Sequence, residues 1–173
     1  MRKVPATVAC LALAAFSACE GPEPRAAAAP SAAPSIRPLS DRGFVVRWGV
    51  PGVPRTVAAG ERFAAAVIVE NASDEVWLDP RSAHRSGSGA GAVRLAYRWW
   101  GASDADASMT DHAPARGELS APLPPHGSAV MAVEVTAPAT PGAYRLQLDL
   151  CQELVAWFES KGAARLIVPV SVQ

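Results

Sequence analysis

Cysteine is scarce in this chain, with three in 173 residues, at positions 10, 19 and 151. The first falls in an apolar leader and the second directly behind it, so the rest of the sequence beyond residue 19 keeps one thiol, no intramolecular disulfide, and a fold that must rest on its core. Neither sign of charge is in excess: 16 Lys and Arg stand against 16 Asp and Glu, and loss of Arg2 and Lys3 with the leader leaves 14 against 16. That balance gives no electrostatic reason to expect nucleic acid or an anionic membrane surface as partner. No stretch after the leader is apolar and long enough to cross a bilayer as a helix. The sequence also lacks a Gly-x-Ser-x-Gly elbow, a His-Glu-x-x-His pair, a Cys-x-x-Cys pair and a phosphate loop ending in Gly-Lys-Ser/Thr. No enzyme class, cofactor or metal is implied, and Cys151, with no His or Cys close by, reads as a small buried hydrophobe.

What is present begins at the start of the chain. Arg2 and Lys3 precede an apolar run over residues 4–15, the length of a signal-peptide core and too short for a membrane span. The run ends in Phe16-Ser17-Ala18-Cys19, which resembles the lipobox of bacterial lipoproteins, with Phe16 where Leu is usual. The resemblance implies a signal peptide over 1–18, cleavage before Cys19 and lipidation of Cys19, and hence a membrane anchor in the cell envelope, at the outer membrane or the periplasmic face. Several acyl chains at about 0.8 kcal/mol per buried methylene make such an anchor stable. Without lipidation the chain would be secreted.

Residues 19–38 are almost entirely Pro, Ala and Ser after Cys19. Frequent prolines block helix growth, and little there could be buried, so the segment is expected to be a disordered tether. From residue 39 to 173 the texture changes to short apolar runs separated by Gly, Pro, Asp and Asn. Period-two alternation predicts strands over residues 43–48, 62–70, 93–100, 128–136, 144–150, 154–158 and 165–172. Phe63, Ala65, Val67 and Val69 share one face of the second, and Val93, Leu95, Tyr97 and Trp99 one face of the third. Met131, Val133 and Val135, then Tyr144, Leu146, Leu148 and Leu150, point inward later. The spacing predicts an all-β sandwich of about seven strands, with long loops over residues 82–91 and 101–117 and no long helix.

Four segments carry a resemblance. These are Glu70-Asn71-Ala72-Ser73-Asp74-Glu75-Val76-Trp77, Val93 through Trp99-Trp100, Leu123-Pro124-Pro125-His126-Gly127, and Ala137-Pro138-Ala139-Thr140-Pro141-Gly142-Ala143-Tyr144-Arg145-Leu146. Together they resemble the bacterial branch of the four-tryptophan immunoglobulin-like domains, over residues 62–172. Leu148-Asp149-Leu150 stands where the eukaryotic domains carry a Trp. The resemblance therefore implies an immunoglobulin-like sandwich and not the function of those domains. Independently, Pro141-Gly142 reads as a tight turn, with the Tyr144 hydroxyl placed to return to its backbone as a tyrosine corner.

Candidate site residues are few. Ser86-Gly87-Ser88-Gly89 lacks the lysine of a phosphate cradle, and His84, His112 and His126 are scattered in loops. Asp104 and Asp106 begin like a calcium loop, but Met109 and Ala115 stand where it needs Gly and Glu. Asn71-Ala72-Ser73 reads as a turn. The aromatic pairs Trp99-Trp100 and Trp157-Phe158 are more informative, because neighbouring strand residues face opposite ways. Either Trp100 and Phe158 or Trp100 and Trp157 are exposed, beside Arg98, Asp149, Gln152 and Glu153. The candidate binding set is therefore Arg98, Trp100, Glu153, Trp157 and Phe158. Such a surface suits a protein partner in the envelope, or a glycan stacked on flat rings, unless a loop covers it.

Overall fold

The computed structural model describes residues 38–85, 91–101 and 115–173, all within one unit of the chain, Ala32–Gln173. The leader, Cys19, the tether up to residue 37, His112 and the Asp104/Asp106 pair lie outside the described residues. Nine strands and one helix are present among those described: β1 Val46–Gly52, β2 Thr56–Val57, β3 Arg62–Asn71, α1 Pro80–Arg85, β4 Val93–Trp100, β5 Gly117–Glu118, β6 Ser128–Thr136, β7 Gly142–Gln152, β8 Ala156–Trp157 and β9 Leu166–Val172. They form a sandwich of a three-stranded sheet, β1-β3-β6, and a six-stranded sheet, β2-β9-β7-β4-β5 with β8 on β7. Pairing is antiparallel throughout except for the short β2–β9 contact.

The inward alternation read from the sequence sets this core. Ala65, Val67 and Val69 of β3 and Met131, Val133 and Val135 of β6 meet Leu95, Tyr97 and Trp99 of β4 and Leu146, Leu148 and Leu150 of β7, all buried. Each large apolar side chain so buried contributes about 1.5–3 kcal/mol. Trp77 and Phe158 pack edge to face at 5.1 Å, and Phe44 and Phe158 at 5.0 Å. The Trp77 indole N–H donates to the Gly43 carbonyl at 2.9 Å, tying the start of the domain to its core. Tyr144 donates its hydroxyl to the Thr140 carbonyl at 2.9 Å, the bond expected of the Pro141-Gly142 turn. Asn71 is fully buried and organises its own turn: its amide donates to the carbonyls of Glu75, Leu123 and Pro124, and its oxygen accepts from the Ser73 amide and hydroxyl.

Several expectations are corrected. The first strand starts at Val46 rather than at residue 43, because Asp41–Gly43 makes a 3-10 turn closed by Gly43 N–H on the Ser40 carbonyl at 2.8 Å. The start of the expected loop over residues 82–91 is instead helical through Arg85. Asp79 accepts from the Arg81 and Ser82 amides, and Pro80 occupies the first helical position. Residues 154–158 are not a strand. Residues 153–155 make a tight turn with Leu154 at φ +61°, and only Ala156–Trp157 pair back onto β7. Six strands are long, and the remaining three, β2, β5 and β8, have two residues each.

Candidate functional site

Period two on β4 sends Val93, Leu95, Tyr97 and Trp99 into the core and leaves Arg94, Ala96, Arg98 and Trp100 on the outer face of the six-stranded sheet. The register sets these beside β7 as Arg94 with Cys151, Ala96 with Asp149, Arg98 with Gln147 and Trp100 with Arg145. β8 adds Trp157 to the same face, since it pairs with Cys151. The face is less wet than alternation alone suggests. Gln147, Asp149 and Cys151 are buried, and Arg94, Arg98 and Trp100 only partly exposed.

Two clusters of side chains cover it. In the first, the Trp100 indole N–H donates to Gln147 Oε1 at 2.7 Å, and Gln147 Nε2 donates to Glu159 Oε2 at 2.8 Å. Glu159 also pairs closely with Arg98 and lies 3.4 Å from Arg165. In the second, Glu153 Oε1 accepts from Arg116 Nε at 3.1 Å and from the Cys151 thiol at 3.7 Å, with Arg94 Nε at 3.9 Å; Arg94 also meets Glu118 at 3.2 Å. Guanidinium groups lie against the indole rings. Arg98 and Arg165 are 5.5 and 5.7 Å from the Trp100 ring centre, and Arg116 is 5.4 Å from that of Trp157.

Electrostatics follow from burial. Desolvation pushes the Asp149 carboxyl up to about 7; the Leu150 backbone amide works against this, the Glu159 charge adds to it and Arg98 opposes it. Asp149 Oδ2 is buried and has no hydrogen-bond partner among the described residues, a setting that favours the uncharged acid. Burial acts on Glu159 in the same direction, but the Gln147 hydrogen bond and the Arg98 and Arg165 charges outweigh it and hold that carboxyl below its ordinary range. The Cys151 thiol is pushed up to about 12 by burial and the Glu153 charge, which suppresses the nucleophilic thiolate.

Of the residues read as candidates, the structure brings Arg98 and Trp100 into the first cluster and Glu153 and Trp157 into the second. Phe158 is not part of the surface. It is fully buried against Phe44 and Trp77, because β8 pairs Trp157 with the outward Cys151 and so turns the next residue into the core. Asp149 and Gln152 are buried as well, and Gln152 spends its amide on the Leu39 N–H and the Gly91 carbonyl. His84 is exposed on α1, and His126 occupies the turn before β6 at φ +59°.

Glu159, Arg116, Arg165 and Leu154 were not legible as site residues. They come from irregular segments where no periodicity assigns a face. Leu154 is 86% exposed at the tip between β7 and β8, in a left-handed conformation that costs a side chain other than glycine about 1 kcal/mol or more. Beside it a cleft of about 240 Å³ is bounded by Arg116, Glu153, Val155 and Trp157.

No family model matches the chain, and no curated protein matches it in sequence. Solved structures are similar at low identity. An alkylpurine DNA glycosylase of Pseudomonas fluorescens, bound to DNA containing an abasic-site analogue, is 12% identical over 74% of this chain and 30% of its own, with a TM-score of 0.44. A CARDB domain of a Pyrococcus furiosus protein in complex with di-metal ions is 12% identical over 74% of this chain and 84% of its own, at 0.40. A Listeria innocua β-glucosidase in complex with laminaribiose is 13% identical over 74% of this chain and 16% of its own, at 0.42. The chain thus spans less than a third of the glycosylase and of the glucosidase. At these scores the likenesses bear on no functional residue.

Proposed function

We propose that this protein is a non-catalytic component of the bacterial cell envelope, held by lipid on Cys19, whose immunoglobulin-like sandwich docks a protein partner through the outer face of the six-stranded sheet. The observation that carries the docking face is Leu154, an exposed apolar side chain held in strained backbone beside the partly exposed Trp157. Strain of this kind persists where the surroundings hold it, and an exposed leucine gains nothing for the fold. Trp, Tyr and Arg dominate the energetic centres of protein interfaces, and this face offers Trp100 and Trp157 among Arg98, Arg116 and Arg165. Its carboxylates and guanidiniums are closed on one another, so polar contacts to a partner fall at the rim.

A sugar platform is less well supported. Stacking needs an open ring face, whereas arginines already lie over both indoles. Asp149 and Gln152, which could have bound sugar hydroxyls, are buried. The lipid anchor rests on the lipobox-like segment, and the immunoglobulin-like reading is supported by the Tyr144–Thr140 bond.

The test is in-cell crosslinking of the tagged full-length protein in its own envelope, with Trp100→Ala, Leu154→Gly and Cys19→Ser versions alongside, read by mass spectrometry. One defined protein captured by the parent and lost with Trp100→Ala and Leu154→Gly is the expected result. Glycan recovered in place of protein would overturn it. A Cys19→Ser chain that stayed in the membrane fraction would overturn the anchor.

A further inference from the structure

We infer that the outer face of the three-stranded sheet, on the far side of the sandwich from the Trp–Arg face, docks a second copy of this chain. Register places Ala64, Ala66 and Ile68 of β3 outward, with Ala132 opposite Ala66 and Val130 opposite Ile68 on β6. This face has no bulky polar centre. Val130 is 69% exposed and Ile68 46%, and Val50 on the adjoining β1 is 83% exposed.

The charges choose the occupant. Arg62 and Glu70 share the outward parity of Ala64, Ala66 and Ile68 and stand at opposite ends of β3. At about 3.4 Å per residue they lie about 27 Å apart. A two-fold axis crossing the strands at Ala66 sets Arg62 of each copy over Glu70 of the other, and the small Ala64 over the larger Ile68. β3 is therefore self-complementary in charge and size, as an isologous contact requires, while on β6 the same axis sets Glu134 of one copy at the row of Val130 of the other. Each end charge also has a neighbour in its own chain, Arg47 at 2.7 Å from Glu70 and Glu134 at 3.4 Å from Arg62, so the pairing across copies extends existing ion pairs.

Edge-to-edge association is discouraged. β1 carries Pro51 and a register break between Trp48 and Pro51, and Gly117 of β5 presses against the β6 backbone. Contact is thus face to face. Three strands about 4.8 Å apart and about 30 Å long offer roughly 400 Å² per copy, half of the ~800 Å² of a standard interface. The pairing is accordingly weak and reversible, and rises with local concentration.

The experiment is sedimentation velocity of the full chain in detergent from 10 µM to 1 mM (about the range where weak dimers form), with Glu70→Arg, Arg62→Glu/Glu70→Arg, Val130→Asp and Trp100→Ala variants, each checked for folding by circular dichroism. A monomer–dimer equilibrium is expected in the parent. Glu70→Arg and Val130→Asp should weaken it at least about tenfold, the charge-swapped double variant should recover part of it, since Arg47 and Glu134 then face like charges in their own chain, and Trp100→Ala should leave it unchanged. A second measurement joins Ala66→Cys chains with a short bismaleimide, which should yield dimers. A parent monomeric at 1 mM (the upper limit set above), a double variant no better than Glu70→Arg, or association lost with Trp100→Ala would each overturn the inference. Loss with Trp100→Ala would move the contact to the opposite face, separating this outcome from a failure of the docking reading above.

Discussion

Gly117 on β5 lies so close to Ala132 on β6 that a Cβ added at Gly117 would stand 2.3 Å from the Ala132 carbonyl oxygen. The two sheets come together along this side of the sandwich through backbone rather than side chains. A backbone carbonyl cannot swing aside as a flexible side chain can, so Gly117→Ala must part the sheets locally. The expected cost is about 2 kcal/mol or more, in the range of overpacked cores, seen as a lower unfolding midpoint in a thermal melt; an unchanged midpoint would count against the close approach.

Tyr144→Phe removes the hydroxyl that satisfies the Thr140 carbonyl. The loss should be about 1 kcal/mol, a drop of about 3–5 °C in midpoint for a domain of this size. Calorimetry of the parent and variant side by side measures it directly.

Leu154→Gly tests the strained tip. Glycine adopts positive φ without penalty, which offsets its greater freedom in the unfolded chain. Stability should therefore hold or rise slightly while capture of the envelope partner falls. If the melt and the capture fell together, Leu154 would be structural and the docking face would lie elsewhere.

Asp149 couples stability to pH. Its folded carboxyl titrates near 7 against 3.8 when unfolded, so between those values the folded protein holds the proton more tightly. Stability from this group is present in full below about pH 4 and is lost as pH rises through about 7. Asp149→Asn removes the dependence. Measured by denaturant titration, the variant should gain on the parent as pH climbs, by up to about 1.4 kcal/mol per pH unit, and the difference should flatten above pH 7.

Cys151 is buried and its thiol is pushed up to about 12. A maleimide should leave it unmodified in the native protein and label it fully in denaturant. Rapid native labelling would indicate that the β7–β8 turn opens readily.

The regular strands were legible because their alternation is unbroken. Val93 to Trp99 and Met131 to Val135 carry large apolar residues at every second position with Arg, Ala or Glu between, and that pattern satisfies only one orientation toward a core; on β3, apolar throughout residues 63–69, the pairing with β6 decides the face. Trp157 and Phe158 were left open between the two faces, because residues 152–158 carry no alternation of their own; the pairing of Trp157 with the outward Cys151 decides it and turns Phe158 into the core. The helix at Pro80 was missed because its signal is a short cap, Asp79-Pro80, beside a glycine-rich stretch that suggested a loop.

By itself, then, the sequence determined the all-β sandwich, the inward set on each long strand, the Tyr144 corner and the half-exposed Trp100, all of which follow from period-two geometry and local turn chemistry. Only the tertiary structure decided which charges meet. Arg98 finds Glu159 and Arg116 finds Glu153 across long sequence separations, and Asp149 becomes a buried acid although its alternation points it outward. Strand parity fixes a side chain's direction. Whether water, an arginine or a returning loop waits in that direction depends on the packing of segments that carry no periodicity of their own.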